Sequence, residues 1–312
     1  MKEYLIGTGG WAYFQVPGLN PLTAYSRAFN FVEVNSTFHQ MPTPKEVEAW
    51  RRLVPPDFHF AVRANRVVTH KNKFQPTEEA LETFERMKQI CNILKADVLH
   101  LQVPSSFKMN ETSIAAIRDF LHSVDLGNSR LALEIRSVSA SELPAELAKT
   151  MQDNNIIHCV DLSKGEMPAY NSDILYSRLF GKGYHNVYQP TDEELGDVDA
   201  KASNSKSDKV MMSFHFVRMY KDAARLKIYK ETGKFPMVTG STGLSSLEEV
   251  LSEDASFPAA KQDLVHSQGW RLFDQTETER IRAAELLQKL PEGTYKSVDE
   301  VTDALKTSRG HV

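Results

Sequence analysis

Cysteine is scarce: the chain has 312 residues and only two cysteines, Cys91 and Cys159, too few to staple a disulfide scaffold. Each sits in an apolar stretch, where a cysteine behaves as a small core hydrophobe, and the pair fits a reducing, cytoplasmic setting. Long hydrophobic runs are missing too. None approaches the roughly 18 residues of a membrane-spanning helix, so no membrane partner is expected. The opening MKEYLIGTGGW places a glycine cluster where a signal peptide would continue its apolar core, so the mature chain is expected to start at Met1. Net charge is only -4, which leaves no broad basic surface for a polyanion and confines any nucleic-acid contact to a local patch. No GxSxG, Walker or dinucleotide fingerprint occurs; Gly7-Thr8-Gly9-Gly10 lacks the spacing of the last.

What is present is enough apolar material for a large core, at 41% hydrophobic residues, in a chain long enough for two domains or one barrel with an appendage. Short apolar stretches of strand type recur at 4–8, 31–35, 58–63, 97–103, 131–136, 156–161, 175–180 and 210–216. Between them lie helical patterns with recognisable starts. Thr43-Pro44-Lys45-Glu46 is a capping box with proline at the first helical position, Thr77 opens a helix through Leu81, Phe84, Met87, Ile90 and Leu94, Asn110 or Glu111 starts another through Ile114, Ile117 and Leu121, and Ser141 one through Leu147 and Met151. Eight strands alternating with helices predict a TIM-barrel-like (β/α)8 fold. Two connections depart from that rhythm. The step carrying Pro168 is too short for a helix, and 191–209, acidic and then Ser/Asn/Lys-rich, reads as an exposed loop. After a helical stretch at 217–232, GKFPMVTGSTG reads as a linker. Helical patterns at 244–251, 259–265, 276–290 and 298–305 then predict a small all-α domain, so the expected domains are 1–235 and 244–312.

Side chains alternate along a strand. In the fifth stretch Leu131, Leu133 and Ile135 must meet helices, which turns Glu134 and Arg136 inward. The same phase turns inward Glu33 and Asn35, then His59, Ala61 and Arg63, then His100 and Gln102, then Arg178, then Ser213 and His215; Asp161 ends the sixth stretch. Catalytic groups in such barrels come from strand C-termini, and nearly every strand here offers a polar group there. One explanation is a structural network in which Glu33, Glu134 and Asp161 neutralise Arg63, Arg136 and Arg178. The other is a functional cavity, because buried charges are tolerated chiefly where a ligand or solvent completes them. Three arginines with Gln102 suit phosphate or carboxylate oxygens. Gly181-Lys182-Gly183 after the seventh strand is either a phosphate loop or a simple turn, and His70, Lys71 and Lys73 either extend a basic rim or are a solvated face. Glu33, Glu134, Asp161, His100 and His215 are metal-ligand types without HExxH or CxxC spacing; the carboxylates can serve instead as general acids or bases.

Several motifs also carry a resemblance. Ile6-Gly7-Thr8-Gly9-Gly10-Trp11, Phe31-Val32-Glu33-Val34-Asn35-Ser36-Thr37-Phe38-His39, Pro55-Pro56-Asp57-Phe58-His59-Phe60, Thr69-His70, Leu101-Gln102-Val103-Pro104-Ser105-Ser106-Phe107, Leu133-Glu134-Ile135-Arg136 and Tyr176-Ser177-Arg178-Leu179-Phe180-Gly181 follow in an order that resembles the YecE-like family of domains of unknown function, family 72, over roughly residues 4–230. The resemblance implies a TIM-barrel-like fold with its site at the strand C-termini, and no settled activity. His39 stands where the family usually has an aromatic, and Phe214-His215-Phe216 where it has a Phe-Asn-Asn-like element. The tail, through Phe257-Pro258-Ala259, Leu290-Pro291 and Tyr295-Lys296-Ser297, resembles a small helical domain of unknown function, family 2795.

The reading that gathers these features is an enzyme acting on an anionic, phosphate-bearing substrate, with phosphoester or nucleic-acid cleavage as the reaction class. Glu33, Glu134 and Asp161 are the expected catalytic residues. Asn35, Arg63, His70, Gln102, Arg136, Arg178 and Lys182 are the expected substrate ligands, and a divalent metal ion is a candidate cofactor. The alternative is a non-catalytic binding module for a small anion or nucleic acid.

Overall fold

The computed structural model describes residues 2–125 and 130–309; Met1, the expected start of the mature chain, lies outside them. Eight parallel strands form one sheet: β1 Glu3–Thr8, β2 Phe31–Val34, β3 His59–Arg63, β4 Val98–Val103, β5 Arg130–Ile135, β6 Ile157–Cys159, β7 Ile174–Leu179 and β8 Lys209–Phe214, ordered β6-β5-β4-β3-β2-β1-β8-β7. The ends of that order meet. A parallel bridge joins Val160 to Ser177, with the Arg178 amide donating to the Val160 carbonyl at 3.1 Å, and the sheet closes into a barrel. The fold is the TIM-barrel-like one that the strand–helix rhythm predicts.

The helices form where the caps indicate. Asn20 caps α1 (Pro21–Ala28), the Thr43–Glu46 capping box opens α2 (Pro44–Arg52), Thr77 caps α3 (Glu78–Leu94) and Asn110 caps α4 (Glu111–Ser123). Each side-chain oxygen takes a backbone N–H that the first turn leaves unpaired. The helix expected from Ser141 starts later, as α5 (Ala145–Asp153), because Pro144 precedes it and only a single 3-10 turn forms at Ala140–Glu142. The larger departure is at 191–209, which is mostly helix: α6 spans Asp192–Asn204. Its apolar stripe is thin, only Leu195, Val198 and Ala202, yet all three are buried. Thr191 and Glu194 cap each other reciprocally at its start, at 3.0 and 3.2 Å, a capping box obscured in the sequence by its acidic neighbours.

The lower lumen is filled by the inward phase of the strands. Leu5, Phe31, Ala61, Val98, Ala132, Ile157, Tyr176 and Met211 pack there as one buried cluster. Gly7 is required where β1 meets β2: a Cβ there would sit 2.0 Å from the Phe31 carbonyl oxygen. The Tyr25 hydroxyl occupies that junction, accepting from the Thr8 amide at 2.9 Å and donating to the Phe31 carbonyl at 2.8 Å.

The chain divides into two compact units, Met1–Phe180 with Val198–His215, and Gly181–Asp197 with Phe216–Val312. The second unit contains α7 (Met219–Thr232), α8 (Gly243–Asp254), β9 (Ala259–Ala260), α9 (Lys261–Gln268), β10 (Leu272–Asp274), β11 (Arg280–Arg282), α10 (Ala284–Leu287), β12 (Thr294–Tyr295) and α11 (Val298–Arg309). Helices predominate there, but the single helix expected at 276–290 is instead the β10–β11 hairpin followed by a short helix. The Thr276 hydroxyl accepts the Glu279 amide at 3.1 Å and the Gln275 amide reaches the Glu279 carbonyl at 2.8 Å, so a turn forms where periodicity alone suggests a helix. β9 and β12 pair as well, antiparallel. Leu247, Val250, Leu251, Phe273, Leu287 and Val301 belong to its core. The GKFPMVTGSTG segment is tied down within this unit: Asp274 accepts the amides of Val238 and Thr239 at 2.9 and 2.8 Å.

Candidate functional site

Above the apolar layer the inward side chains become polar. Glu33 on β2, His100 on β4, Glu134 on β5, and Arg178 on β7 are all buried. Arg178, 1% exposed, grips Glu33 with two parallel bonds, Nε to Oε2 at 2.9 Å and Nη2 to Oε1 at 3.0 Å, and gives Nη1 to Glu134 Oε2 at 2.5 Å. The Tyr176 hydroxyl, on the same inward phase two residues earlier, donates to Glu33 Oε2. Burial alone raises the pKa of Glu33, but the Arg178 charge overrides it and holds the carboxyl well below the usual range; the same competition holds Glu134 low. Both glutamates are therefore ionised and poor proton acceptors at neutral pH. Arg178 is enclosed by carboxylates and does not present its fork to a ligand.

The other two barrel arginines are placed differently. Arg136, just past β5, uses Nε on Glu134 Oε1, and among the described residues both of its Nη groups lack a protein hydrogen-bond partner. Its guanidinium lies 4.5 Å from the Phe180 ring centroid. Arg63, at the end of β3, is half-buried and has no carboxylate partner among the described residues. Its Nη1 donates to Asn35 Oδ1 at 2.8 Å, its Nη2 to Gln102 Oε1, its face stacks 3.6 Å from the Phe38 ring centroid, and its buried Nε has no partner. Burial, then the neighbouring Arg178 charge, push its pKa down to about 10, so it stays charged at neutral pH. Arg178 and Arg136 contact the two glutamates, which leaves Arg63 as the guanidinium with no carboxylate in contact, held by neutral amides and the Phe38 ring.

His70 follows β3 on a π-turn, edge-on to Phe38 at 4.9 Å, with Nδ1 2.8 Å from the Thr69 hydroxyl. Burial and then the Arg63 and Arg136 charges lower its pKa, so the imidazole is neutral and offers both a donor and an acceptor. Lys71 pairs with Glu79 in solvent. His215 stacks on Phe180 at 4.6 Å and 15°, with Nε2 3.0 Å from Ser213 Oγ and 3.5 Å from Glu33 Oε1. Gly9 admits that ring: a Cβ would lie 2.2 Å from His215 Cε1.

Asp161 is organised around the backbone. Oδ1 accepts the Ser163 amide at 3.0 Å and Oδ2 the Phe180 amide at 3.0 Å. Burial raises its pKa to about 6 despite those bonds, which makes it the one expected catalytic carboxyl that exchanges a proton near neutrality. Lys182 belongs to the second unit, where its Nζ lies 3.1 Å from Glu194 Oε1.

Inward phase identifies Glu33, Arg63, His100, Gln102, Glu134, Arg178 and His215 from the sequence. It leaves out Tyr176, whose spacing from Arg178 is the usable signal, and the Phe38 and Phe180 rings, which are visible only once the loops are placed. A cavity of about 150 Å³ lies elsewhere, at the N-terminal ends of β6 and β7, lined by His158, Tyr170, Asn171 and Lys206 among others. No strand C-terminus contributes to it.

The model of the family described as "Protein of unknown function DUF72" matches residues 5–229. Among curated proteins the chain is similar to the UPF0759 protein YecE of Escherichia coli (strain K12), 28% identical over 120 residues, which are 38% of this chain and 42% of that protein. It is also similar to the UPF0759 protein YunF of Bacillus subtilis (strain 168), 25% identical over 159 residues, 47% of this chain and 56% of that one. The matches thus span about half the length of these relatives. Among solved structures, a DUF72 family protein from Thermotoga maritima MSB8 superposes with TM-score 0.59 at 22% identity, covering 73% of this chain and 99% of that one. Another from Enterococcus faecalis V583 gives 0.59 at 16%, covering 75% and 98%. At these identities the structures support the fold alone.

Proposed function

Since the chain belongs to the DUF72 family, whose function is unknown, we propose a role from the cavity itself: the C-terminal mouth of the barrel binds a small phosphate-bearing anion. The observation that carries this reading is Arg63, a half-buried guanidinium held only by the neutral side chains of Asn35, Gln102 and Phe38. A charge taken out of water without a counter-charge is costly, and an oxyanion bridging Arg63 and Arg136 supplies one while using the spare Arg136 donors. Neutral His70 adds a donor. Glu33, Glu134 and Arg178 form the buried floor that positions Arg136, and Glu33 and Glu134 act as positioning residues. Lys182 is not required by this reading.

Calorimetric titration of inorganic phosphate and a phosphomonoester into the full chain tests it. One charge-assisted contact contributes roughly 1.5–3 kcal/mol, so Arg136→Ala is expected to weaken binding about tenfold or more. Equal affinity in the variant and the parent removes the anion seat.

A catalytic extension has one supporting observation, the Asp161 carboxyl with its pKa near 6. In that extension Asp161 transfers a proton during cleavage of a phosphoester, and Asp161→Asn abolishes turnover while leaving phosphate affinity intact. The absence of turnover in the parent chain leaves the binding role standing by itself. The C-terminal module, 244–312, is proposed as a separately packed, largely helical unit that makes partner contacts.

A further inference from the structure

We propose that His100, Glu134 and Cys159 form a buried Zn2+ site in the barrel lumen, beneath the anion mouth and sharing with it Glu134, whose other oxygen holds Arg136. The three residues come from neighbouring strands. Glu134 is the register partner of Cys159 across β5 and β6, and His100 pairs with Ala132, two residues before Glu134 on the same inward phase. One ligand atom from each, a ring nitrogen, a carboxylate oxygen and the thiol sulfur, lie within 4.8 Å of one another. Ligand atoms about 2.0–2.3 Å from a tetrahedral zinc are about 3–4 Å apart, so a small contraction seats the ion.

An independent observation points the same way. His100 is 0% exposed, and its Nδ1 has no hydrogen-bond partner among the described residues. Nε2 lies 3.0 Å from Glu134 Oε2, a contact that a shared metal ion would replace. A fully buried imidazole with one nitrogen idle is otherwise expensive.

The donor set selects the metal. Thiolate and imidazole favour zinc over Mg2+ or Ca2+, which take oxygen ligands. Arg178 lies against Glu134, and its positive charge opposes a dication. Zinc expels the Cys159 thiol proton to solvent, which halves that opposition: the site gains one net positive charge rather than two, beside carboxylates that Arg178 already contacts. Cys159, which reads from sequence as a plain core residue, thereby acquires a role that Cys91, buried on α3, does not share.

The test uses the full-length chain purified without chelator. Elemental analysis is expected to give about one zinc per chain, and the apo protein is expected to release one proton per zinc bound. Cobalt added to apo protein is expected to give tetrahedral visible bands and a near-ultraviolet thiolate charge-transfer band. Cys159→Ser abolishes the charge-transfer band and weakens metal binding at least about tenfold, whereas Cys91→Ser retains both. Excess Mg2+ does not compete. If Cys159→Ser does not fold, zinc content and proton release of the parent chain decide. Failure of apo protein to take up zinc, uptake without proton release, or a charge-transfer band lost in Cys91→Ser and kept in Cys159→Ser would overturn the assignment. Phosphate titrations through Arg136 are a separate readout, so failure of one site is distinguishable from failure of the other.

Discussion

Both ends of the barrel carry a charged cluster, and the two are built differently. At the strand N-termini Lys209 reaches Asp97 at 2.8 Å and Glu3 at 3.3 Å, while His59 lies 2.8 Å from Asp97 and 3.5 Å from Glu3. Every charge there has an opposite partner, and solvent reaches the cluster. At the C-terminal end Arg178 is matched to Glu33 and Glu134 in full burial, but Arg63 has only neutral amides and the Phe38 ring, and the buried Nδ1 of His100 has no partner among the described residues. The compensated end reads as structure. The other end holds a guanidinium without a carboxylate partner, and the proposed anion would supply the missing charge.

The largest break in that comparison is Arg178→Leu. It leaves Glu33 with no cationic guanidinium and takes one of two from Glu134, and removing one partner of a buried ion pair costs about 3–5 kcal/mol; urea denaturation is expected to show a loss of that order. A loss below about 1 kcal/mol would mean water already solvates Glu33 and Glu134.

A smaller effect comes from pH. Burial, reinforced by the Arg178 charge, depresses His215 from 6.5 to about 3. A depressed histidine contributes stability that is present above pH 6.5 and is lost as pH falls toward 3, because the unfolded chain takes up the proton first. The glutamates add to that loss below about pH 4.5, since their folded pKa values are depressed as well. His215→Asn is expected to flatten the decline between pH 6.5 and 4.5 by roughly 1–3 kcal/mol, measured by denaturation at stepped pH. An unchanged slope would show that the imidazole is not held neutral.

The smallest effect belongs to the other end. Lys209→Met removes a pair reached by solvent, expected to contribute about 1 kcal/mol or less, and leaves phosphate binding untouched. A loss as large as that of Arg178→Leu would erase the distinction between the two ends.

How far the sequence revealed these ends follows from the physics that places each residue. Strand phase is local, so Glu33, Arg63, Gln102, Glu134 and Arg178 can be turned inward from alternation alone, and the strong caps at Thr43 and Thr77 locate their helices. α6 escaped because a stripe of Leu195, Val198 and Ala202 is too thin to outweigh its acidic surroundings, and the β10–β11 hairpin because its turn is made by side-chain bonds that periodicity does not register. Partner choice is non-local. Alternation cannot tell that Arg178 takes both glutamates while Arg63 takes none, nor that Cys159 stands opposite Glu134, because those outcomes depend on register across the closed barrel.

The claim that the C-terminal mouth is an anion seat built on an uncompensated Arg63 is tested most directly by thermal denaturation of the parent chain and Arg63→Met, each with and without phosphate. The account predicts that phosphate raises the Tm of the parent chain by linkage, and that Arg63→Met melts at the same or a higher temperature without phosphate and does not respond to it, since methionine replaces a half-buried charge that has no carboxylate partner. A variant that melts far lower without phosphate, or that gains as much from phosphate as the parent, would contradict it.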